Sequence, residues 1–457
     1  MDMCHGPLPW QIFRFSIPIL IAGILNLSFS TADSIVIGRY GSAQSLGAVG
    51  VTSPIVGFLL NVFSGLAVGA SVIIAQHFGA GDKGQVRRSV HTAVGVALIG
   101  GIVIMAGAQI AMWPLLKAMR IPGDIIHKTC VYMRIYCCGI PLTILYSFCY
   151  GILRAVGDTR NATLYLVASG SLNVVLNLLL VIVFHLDVKG VALATIASQS
   201  LSTFLIVRNL HNAHDACRLS GRLLLRIHRP IVMRMLRIGL PAGFQTAFYS
   251  FANLVLVATV GTLPNGALAL AGYAAALNME DLLWRVAYAY HQTAMSFVGQ
   301  NYGGHEYGRL KRSVYTCLAI QTPIIAILGW GFYLCAEKIV AFYTTDPSAV
   351  GDVVMYARLH MKYCFTLYVL CGVGEVLAGS LRGLGVSFLP AVFSFLGIFA
   401  FRMLWVAFAF PLPRFHTMDG LYMCYPFSWI IVLVPNAFLL AWYFRRLGSH
   451  GPELKNQ

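Results

Sequence analysis

The sequence predicts an all-helical protein that crosses a membrane many times. Of its 457 residues, 58% are apolar and only 11% are charged, whereas charged residues normally make up about a quarter of a globular chain. The mean hydropathy of +0.75 indicates a surface that faces lipid. Because one spanning helix takes about 20 to 25 residues, the chain has room for about a dozen helices and for no separate soluble domain.

Apolar runs separated by glycine, proline and charged residues predict twelve spans. These runs are too long and too apolar for barrel strands, and a helix satisfies its own backbone hydrogen bonds in hydrocarbon. In order, the predicted spans are Ile12–Ile37, Val49–Ala75, Val90–Leu115, Thr129–Ile152, Thr163–Phe184, Val191–Val207, Ile238–Gly261, Leu268–Val298, Val314–Leu334, Val353–Leu377, Leu389–Phe410 and Leu421–Phe444.

The distribution of lysine and arginine predicts the orientation of the chain. Twenty of these residues fall in loops on the side of the N-terminus and seven on the other side. Cytoplasmic loops are the ones rich in lysine and arginine. Both termini are therefore predicted to lie in the cytoplasm, and the chain is predicted to be a multi-pass protein of the cytoplasmic membrane. The net charge of +16 is spread over many short loops. It therefore does not indicate a nucleic-acid partner.

An internal repeat divides the chain into two halves. Gln76–Gly81 recurs as Gln300–His305 at an offset of 224, and Gly151–Gly157 recurs as Gly379–Gly385 at an offset of 228. The repeated unit has an even number of spans, so both copies enter the membrane from the same side. A cavity between two such lobes is the default binding site of a duplicated membrane protein.

The repeat predicts three segments. Residues 1–210 form an N-terminal six-helix lobe, residues 211–237 form a basic cytoplasmic linker, and residues 238–457 form a C-terminal six-helix lobe with a short tail. The eleven cysteines form no CxxC pair, which argues against disulfides and zinc. The sequence has no GxSxG, HExxH or Walker motif. We therefore expect that the protein is not an enzyme and has no cofactor. Its energy source should be an ion gradient or a partner protein.

These repeated motifs, with Asp33–Gly38, Leu46–Gly50 and Gly190–Thr195, resemble the multidrug and toxic compound extrusion (MATE) family over nearly the whole chain. The resemblance implies a V-shaped, two-lobed exporter of twelve helices. It also implies that incoming Na⁺ or H⁺ is exchanged for an outgoing, usually cationic or amphipathic, drug-like molecule. A monomer is the family expectation.

Four acidic residues lie within predicted spans, namely Asp33, Glu280, Asp281 and Glu375. A carboxylate in hydrocarbon costs at least ~2.5 kcal/mol. It therefore faces a wet cavity, finds a partner or takes up a proton. Each of the four is a candidate functional residue.

Asp33 is the strongest candidate for ion coupling. It lies about 30 Å along the first predicted helix, in the outer half of the membrane. Asn173 and Asn177 of the fifth span are spaced to share one helix face, and Thr195 lies near the outer end of the sixth. Such oxygen ligands suit a hard cation, and a lone carboxylate suits a proton equally well. The alternative is that Asp33 only holds helices together.

The resemblance points to the same place, because Asp33, Asn173 and Thr195 match positions that the family uses for cation binding. Where related members have a second carboxylate, this sequence has Asn177. We therefore prefer H⁺ over Na⁺ as the coupling ion. Pro18 precedes Asp33 in the same span and permits a kink. The resemblance suggests that Asp33 protonation bends the helix, and a static bend is the alternative.

The second lobe has its own candidates. Glu280 and Asp281 lie about 18 Å along the eighth span with Arg285 one turn later, and Arg402 is expected at comparable depth. These residues have two alternative interpretations, a second coupling or substrate site and a closed ion-pair network. We slightly favour the network because the charges cancel. For Glu375, a gate salt bridge with Arg382 competes with an interfacial anchor, which we favour.

A promiscuous cationic substrate needs aromatic and methionine walls. Candidates by depth and residue type are Tyr132, Tyr136, Tyr249, Tyr273, Met279, Trp284 and Tyr288, while His291 is interpreted as a packing residue. The leading hypothesis is an ion-coupled antiporter that works by alternating access. The alternatives are a lipid-linked oligosaccharide flippase, for which Arg285 and Arg402 are the only deep cations, and a membrane receptor without transport.

Overall fold

The computed structural model describes residues 1–40, 43–118, 123–213, 215–221, 226–263, 265–343 and 350–449. Over these residues the regular secondary structure is helical and includes no strand, which confirms the predicted all-helical class. The predicted tail beyond residue 449 and positions 214 and 222–225 of the predicted linker lie outside the described residues.

The first half of the chain forms six long helices, and each predicted span of this half except the fifth lies within one of them. They are α1 (Leu8–Tyr40), α2 (Ala43–Gly79), α3 (Lys83–Ala118), α4 (Gly123–Ala155), α5 (Thr159–Asn177) and α6 (Asp187–Asn212). A π-helix over Leu178–Val183 continues α5 without a break. The fifth predicted span therefore covers α5 and this π-helix together.

The second half contains shorter and more broken helices. They are α7 (Arg229–Val260), α8 (Gly266–Gly303), α9 (Tyr307–Leu334), α10 (Ala336–Tyr343), α11 (Val350–Cys364), α12 (Tyr368–Gly383), α13 (Phe388–Ser394), α14 (Phe401–Leu404), α15 (Met418–Tyr422) and α16 (Cys424–Ser449). Two π-helices, Phe395–Ala400 and Trp405–Ala409, flank α14. The tenth predicted span covers both α11 and α12, which meet at a bend of 45°.

Length and composition mark most of these helices as membrane spans. Within the described residues, ten helical stretches are long and apolar enough to cross a membrane, and α11 with α12 forms one more broken span. The remaining long helix, α8, is the predicted eighth span. Its middle contains Glu280, Asp281 and Arg285, which lowers its hydropathy. These are the charged residues that make α8 a candidate site.

The chain separates into two compact units. The first comprises Met1–Asp2 and Ile21–Gly243, and the second comprises Met3–Leu20 and Phe244–Gln457. Both boundaries inside helices follow a proline by three residues, since Pro18 lies in α1 and Pro241 lies in α7. A helix is weakest at a proline because one backbone hydrogen bond is lost there. The predicted lobe limits at residues 210 and 238 stay a prediction.

Local sequence fixes where α5 begins, and hence the position of its asparagines. Gly157 has a φ of +86°, a conformation that favours glycine and ends α4. The next residue, Asp158, caps α5 by accepting a hydrogen bond from the backbone N–H of Asn161 at 3.2 Å. Counting from this cap, Asn173 and Asn177 lie on the buried face of α5.

Candidate functional site

A polar cluster joins α1 to α5 in the first unit. The side-chain amide of Asn177 donates a hydrogen bond to Oδ1 of Asp33 and another, of 3.3 Å, to Oδ1 of Asn173. Asn177 is fully buried and Asn173 is buried, whereas Asp33 is half-buried. The structure therefore brings together the predicted carboxylate and both predicted asparagines, with Asp33 accessible from one side.

Asn177 stands where the helix changes its winding. It is the last residue of α5, and the π-helix Leu178–Val183 follows directly. Such π segments are rare and frequently occur at functional sites, because they alter the direction of side chains. The Oδ1 atom of Asn177 is buried and has no hydrogen-bond partner among the described residues. A buried acceptor without a partner costs about 1–3 kcal/mol.

The remaining candidate residues of the first unit are Thr195, Tyr132 and Tyr136. Thr195 donates its hydroxyl to the carbonyl of Val191 in its own helix at 2.9 Å, and no hydrogen bond links it to Asp33 within the described chain. Tyr132 and Tyr136 of α4 stand 5.9 Å apart, measured between ring centroids. Both tyrosines lie within electrostatic range of the Asp33 charge.

The second unit contains a cavity of about 290 Å³. Its wall combines aromatic rings with a few charged and polar side chains, an arrangement typical of small-molecule sites. The lining residues are Thr246, Tyr249, Ser250, Asn253, Leu277, Glu280, Asp281, Trp284, Tyr368, Cys371, Arg402, Tyr425 and Trp429. Tyr249 and Trp284 line this cavity, with ring centroids 6.0 Å apart, and their contact with a substrate stays a prediction.

Three of the predicted aromatic or methionine candidates do not line this cavity. Tyr273 is 1% exposed and shares a hydrogen bond of 3.1 Å with the hydroxyl of Tyr425. Met279 is 3% exposed and belongs to the core. Tyr288 stands outside the cavity wall, stacked with His291 at 6.2 Å. Burial in helix packing, rather than contact with a cavity, explains Tyr273 and Met279.

The predicted closed network of two acids and two arginines is wrong. Asp281 pairs with Arg285 on the same helix at 3.2 Å, as the spacing predicted. Glu280 instead contacts Nε2 of His360 at 2.9 Å, and His360 is fully buried among aromatic rings. Arg402 forms no ion pair with a carboxylate among the described residues. The charges are therefore held by separate partners.

Arg402 is held by neutral groups. Its Nε donates to the hydroxyl of Ser428 at 3.1 Å, and its Nη1 donates to Oδ1 of Asn253 at 3.0 Å. The guanidinium carbon lies 4.3 Å from the ring centroid of Tyr425, within range of a cation–π contact. Only 2% of Arg402 is exposed.

Glu375 belongs to a buried polar chain and is not an interfacial anchor. Its Oε2 lies 2.8 Å from Nδ1 of His291, and its Oε1 accepts a hydrogen bond of 3.3 Å from Tyr249. Nε2 of His291 contacts Nη1 of Arg382 at 2.9 Å, and Arg382 also donates to Gln245. His291 therefore stands between Glu375 and Arg382, so the two do not form the direct salt bridge that was the alternative.

Sequence reasoning missed several partners of the charged residues. His360, Asn253, Ser428 and Gln245 each bond to a charged side chain from another helix. Their only signal in the sequence is a polar side chain inside an apolar run, which does not reveal the partner. The contacts depend on which helices are neighbours, and local spacing contains no such information.

The internal organisation of the chain agrees with one known family. The family model described as MatE matches residues 18–179 and 241–408, one segment in each half of the repeat. This chain belongs to the MatE family. Members of the MatE family are transporters and not enzymes, so the chain is a membrane transporter. The family assignment confirms the resemblance seen in the motifs.

Relatives and solved structures support the same assignment. "Probable multidrug resistance protein YoeA" of Bacillus subtilis is 23% identical over 448 residues, which cover 95% of each chain. "Multidrug export protein MepA" of Staphylococcus aureus is 24% identical and is matched over 83% of this chain and 82% of its own. A crystal structure of a MATE protein in the bent conformation superposes with a TM-score of 0.87 at 21% identity, covering 98% of both chains. This MatE chain therefore has the fold of two six-helix lobes.

Proposed function

We propose that this MatE transporter is a secondary antiporter of the cytoplasmic membrane that exports cationic or amphipathic drug-like molecules in exchange for H⁺. The names of its relatives support drug efflux, since they describe multidrug resistance and multidrug export. The coupling ion binds at Asp33, with Asn173 and Asn177 beside it. The observation on which this proposal depends is the contact between the Asp33 carboxylate and the amide of Asn177.

The charge of this cluster favours H⁺ over Na⁺. A hard cation requires several oxygen ligands and is favoured by more than one carboxylate, yet Asp33 is the one carboxylate among the described side chains that are hydrogen-bonded in this cluster. A proton requires one acceptor, which the Asp33 carboxylate supplies. The unpartnered Oδ1 of Asn177 can then partner the protonated acid, because a half-turn of the amide group lets Oδ1 accept a hydrogen bond from a protonated Asp33. Both protonation states of Asp33 then have a partner.

Transport follows from the change of charge at Asp33. A charged carboxylate is costly in hydrocarbon and stays near its amide donor and the wet side of the cluster. Protonation removes that cost and exchanges the hydrogen bond to Asn177, so α1 is free to adopt a second position. Pro18, in the same helix, lacks a backbone hydrogen-bond donor and gives α1 a place to bend. We propose that this movement alternates access to the substrate.

The substitution Asp33→Asn tests the coupling. In proteoliposomes, we expect efflux of the fluorescent cation ethidium, driven by a pH gradient, to fall to background while the amount of inserted protein stays unchanged. Asp82→Asn is the matched control, because Asp82 lies in the loop before α3, where its side chain accepts a hydrogen bond from the backbone N–H of Gln85. Unchanged efflux in Asp33→Asn contradicts the proposal. If efflux requires Na⁺ and does not require a pH gradient, the coupling ion is Na⁺ and not H⁺.

We also propose that both termini are cytoplasmic, that the transporter acts as a monomer and that it has no nucleic-acid partner. In this orientation Cys335, which is exposed at the end of α9, faces outward. A membrane-impermeant maleimide added to intact cells should label a variant in which Cys335 is the single cysteine. Labelling that requires broken cells reverses the orientation.

The oligosaccharide flippase remains the weaker candidate. A pyrophosphate-linked substrate needs several basic side chains around the cavity. Of the two deep arginines, Arg285 is already paired with Asp281. Arg402 alone matches a single negative charge better than a pyrophosphate.

A further inference from the structure

Arg402 presents a buried positive charge that pairs with no carboxylate among the described residues. It contacts the Ser428 hydroxyl, the Asn253 amide oxygen and the Tyr425 ring, and none of these is an anion. The neighbouring carboxylates are bound elsewhere, Glu280 to His360 and Asp281 to Arg285. An unpaired guanidinium in a membrane protein is costly, and such residues usually contact a ligand or line a wet cavity.

The guanidinium borders the cavity of about 290 Å³ in the second unit. Nε and Nη1 of Arg402 are used by Ser428 and Asn253, whereas Nη2 has no hydrogen-bond partner within the described chain. Arginine presents its donors in a planar fork that fits a carboxylate. Aromatic rings, among them Trp284 and Trp429, form much of the remaining wall. The cavity therefore offers one cationic donor group beside aromatic rings, and its two acidic side chains, Glu280 and Asp281, are engaged by His360 and Arg285.

The internal repeat places Arg402 at a position that corresponds to the ion-coupling cluster. Arg402 follows Asn177 by 225 residues, between the repeat offsets of 224 and 228. Its partner Asn253 follows Asp33 by 220 residues, about one helical turn from the first offset. In the first unit a carboxylate contacts an amide, and in the second an amide contacts a guanidinium. Arg402 thus stands in the second copy near the position that Asn177 has in the first.

We propose that the cavity of the second unit binds the carboxylate of a small aromatic molecule through Arg402. The ligand's carboxylate accepts hydrogen bonds from the guanidinium, and its ring lies against Trp284 and Trp429. A carboxylate fits better than a phosphate group, because a second negative charge would lie unneutralised beside Glu280, which lines the same cavity. As a statement about an exported substrate, the proposal rests on the proposed function; as a statement about binding, it does not.

Calorimetric titration of the purified full-length chain in detergent tests the site with three probes of one shape. Naphthoate has the carboxylate, naphthamide is its neutral counterpart and naphthylmethylamine is a cation. We expect naphthoate to bind with a Kd lower than that of naphthamide by about tenfold or more, since a hydrogen bond to a charged group contributes about 1.5–3 kcal/mol. Equal affinities for naphthoate and naphthamide overturn the proposal, as does a preference for the amine over the acid.

Variants then assign the effect to Arg402. Arg402→Gln should remove the preference for naphthoate over naphthamide, and Arg402→Lys should keep it in weaker form because the charge remains. Arg358→Gln is the matched control, since the side chain of that arginine is 43% exposed, pairs with Glu337 at 3.0 Å and does not line the cavity, and it should leave the preference unchanged. A preference that survives in a folded Arg402→Gln protein overturns the proposal. If Arg402→Gln does not fold, Arg402→Lys with unaltered naphthoate affinity overturns it.

A further variant separates this proposal from the proposed function. Asp33→Asn should abolish ion-driven export yet leave naphthoate binding unaltered, because Asp33 lies in the other unit. Export that continues in Asp33→Asn refutes the coupling role and leaves the binding result valid. Loss of the naphthoate preference in Asp33→Asn shows that the acid does not bind through Arg402 independently, which overturns the anion site.

Discussion

The ring of Phe29 in α1 packs directly against Gly170 in α5. A Cβ built on Gly170 would lie only 1.8 Å from Cε2 of Phe29, so no side chain fits there unless the two helices shift. Phe29 precedes Asp33 by one helical turn, and Gly170 precedes Asn173 by nearly one. The aromatic contact therefore fixes the distance at which Asp33 meets its asparagines.

Substitution of Gly170 should uncouple transport by moving α1 away from α5. We expect Gly170→Ala to lower the free energy of unfolding by about 1–3 kcal/mol, the usual cost of overpacking, and to reduce ethidium efflux because the Asp33–Asn177 contact lengthens. Gly107→Ala in α3 is the matched control, since nothing lies within 4 Å of a Cβ there. Efflux and thermal unfolding temperature are measured for both. Equal behaviour of the two variants contradicts the role of this contact.

Asn177 should determine the choice of ion. Asn177→Asp places a second carboxylate beside Asp33, and one of two adjacent carboxylates either takes up a proton or shares a cation. We expect efflux by this variant to be stimulated by an inward Na⁺ gradient without a pH gradient, a condition under which we expect the natural protein to be inactive.

The control for this change is Asn177→Ala, which removes the amide without adding charge. It should weaken export driven by the pH gradient and gain no response to Na⁺. Vesicle efflux with each gradient applied separately distinguishes the variants. An Asn177→Asp protein that ignores Na⁺ would show that charge at this position does not select the ion.

The sequence predicted the helices well because the membrane imposes one solution on every apolar run. The first predicted span, Ile12–Ile37, lies inside α1, which extends by a few residues at each end to Leu8 and Tyr40. The bend between α11 and α12 and the π-helices were not predicted. These features change the winding of a helix without changing its apolar composition, so hydropathy gives no sign of them.

The candidate site was predictable where a helix face decided it and not where helix neighbours decided it. The spacing of Asn173 and Asn177 placed both on one face, and the structure puts them beside Asp33. For Arg402, attraction between opposite charges suggested Glu280 as a partner, whereas an amide and a hydroxyl bind it. The partner of a buried charge depends on three-dimensional packing, which charge counting along the sequence does not contain.

The buried polar chain of the second unit should stabilise it cooperatively. Glu375→Gln leaves Arg382, which is only 7% exposed, without its nearby negative charge. Breaking a direct buried ion pair on one side typically costs about 3–5 kcal/mol, and we expect a smaller loss here because His291 lies between the two charges. We therefore expect a lower thermal unfolding temperature for Glu375→Gln and for Arg382→Gln.

The double variant Glu375→Gln with Arg382→Gln tests whether the two charges act together. Removing both charges leaves no isolated ion, so its loss of stability should be smaller than the sum of the single losses. The thermal unfolding temperature in detergent is measured for the natural protein, the two single variants and the double variant. Additive losses would show that His291, which stands between them, isolates the two charges.

The segment that follows α6 should protect the thiol of Cys217 from labelling, and the labelling rate reports how well this segment is packed. Cys217 is 2% exposed, and burial raises the pKa of its thiol to about 12. The thiolate is the reactive form. Below this pKa the thiol stays protonated, so maleimide labelling of a variant with Cys217 as its single cysteine should be slow at neutral pH and rise steadily as the pH approaches 12.

His91 of α3 holds this connection in place by accepting a hydrogen bond of 3.0 Å from the backbone N–H of Ser220, three residues after Cys217. Replacing His91 by alanine leaves that donor without its acceptor, so the connection should open more often and the pKa of Cys217 should fall towards its ordinary value. We expect faster labelling of Cys217 at neutral pH in His91→Ala, and an unchanged rate when His91→Ala is made in the variant whose single cysteine is Cys335. A rate for Cys217 that does not respond to His91→Ala would show that contacts other than this hydrogen bond keep the thiol buried.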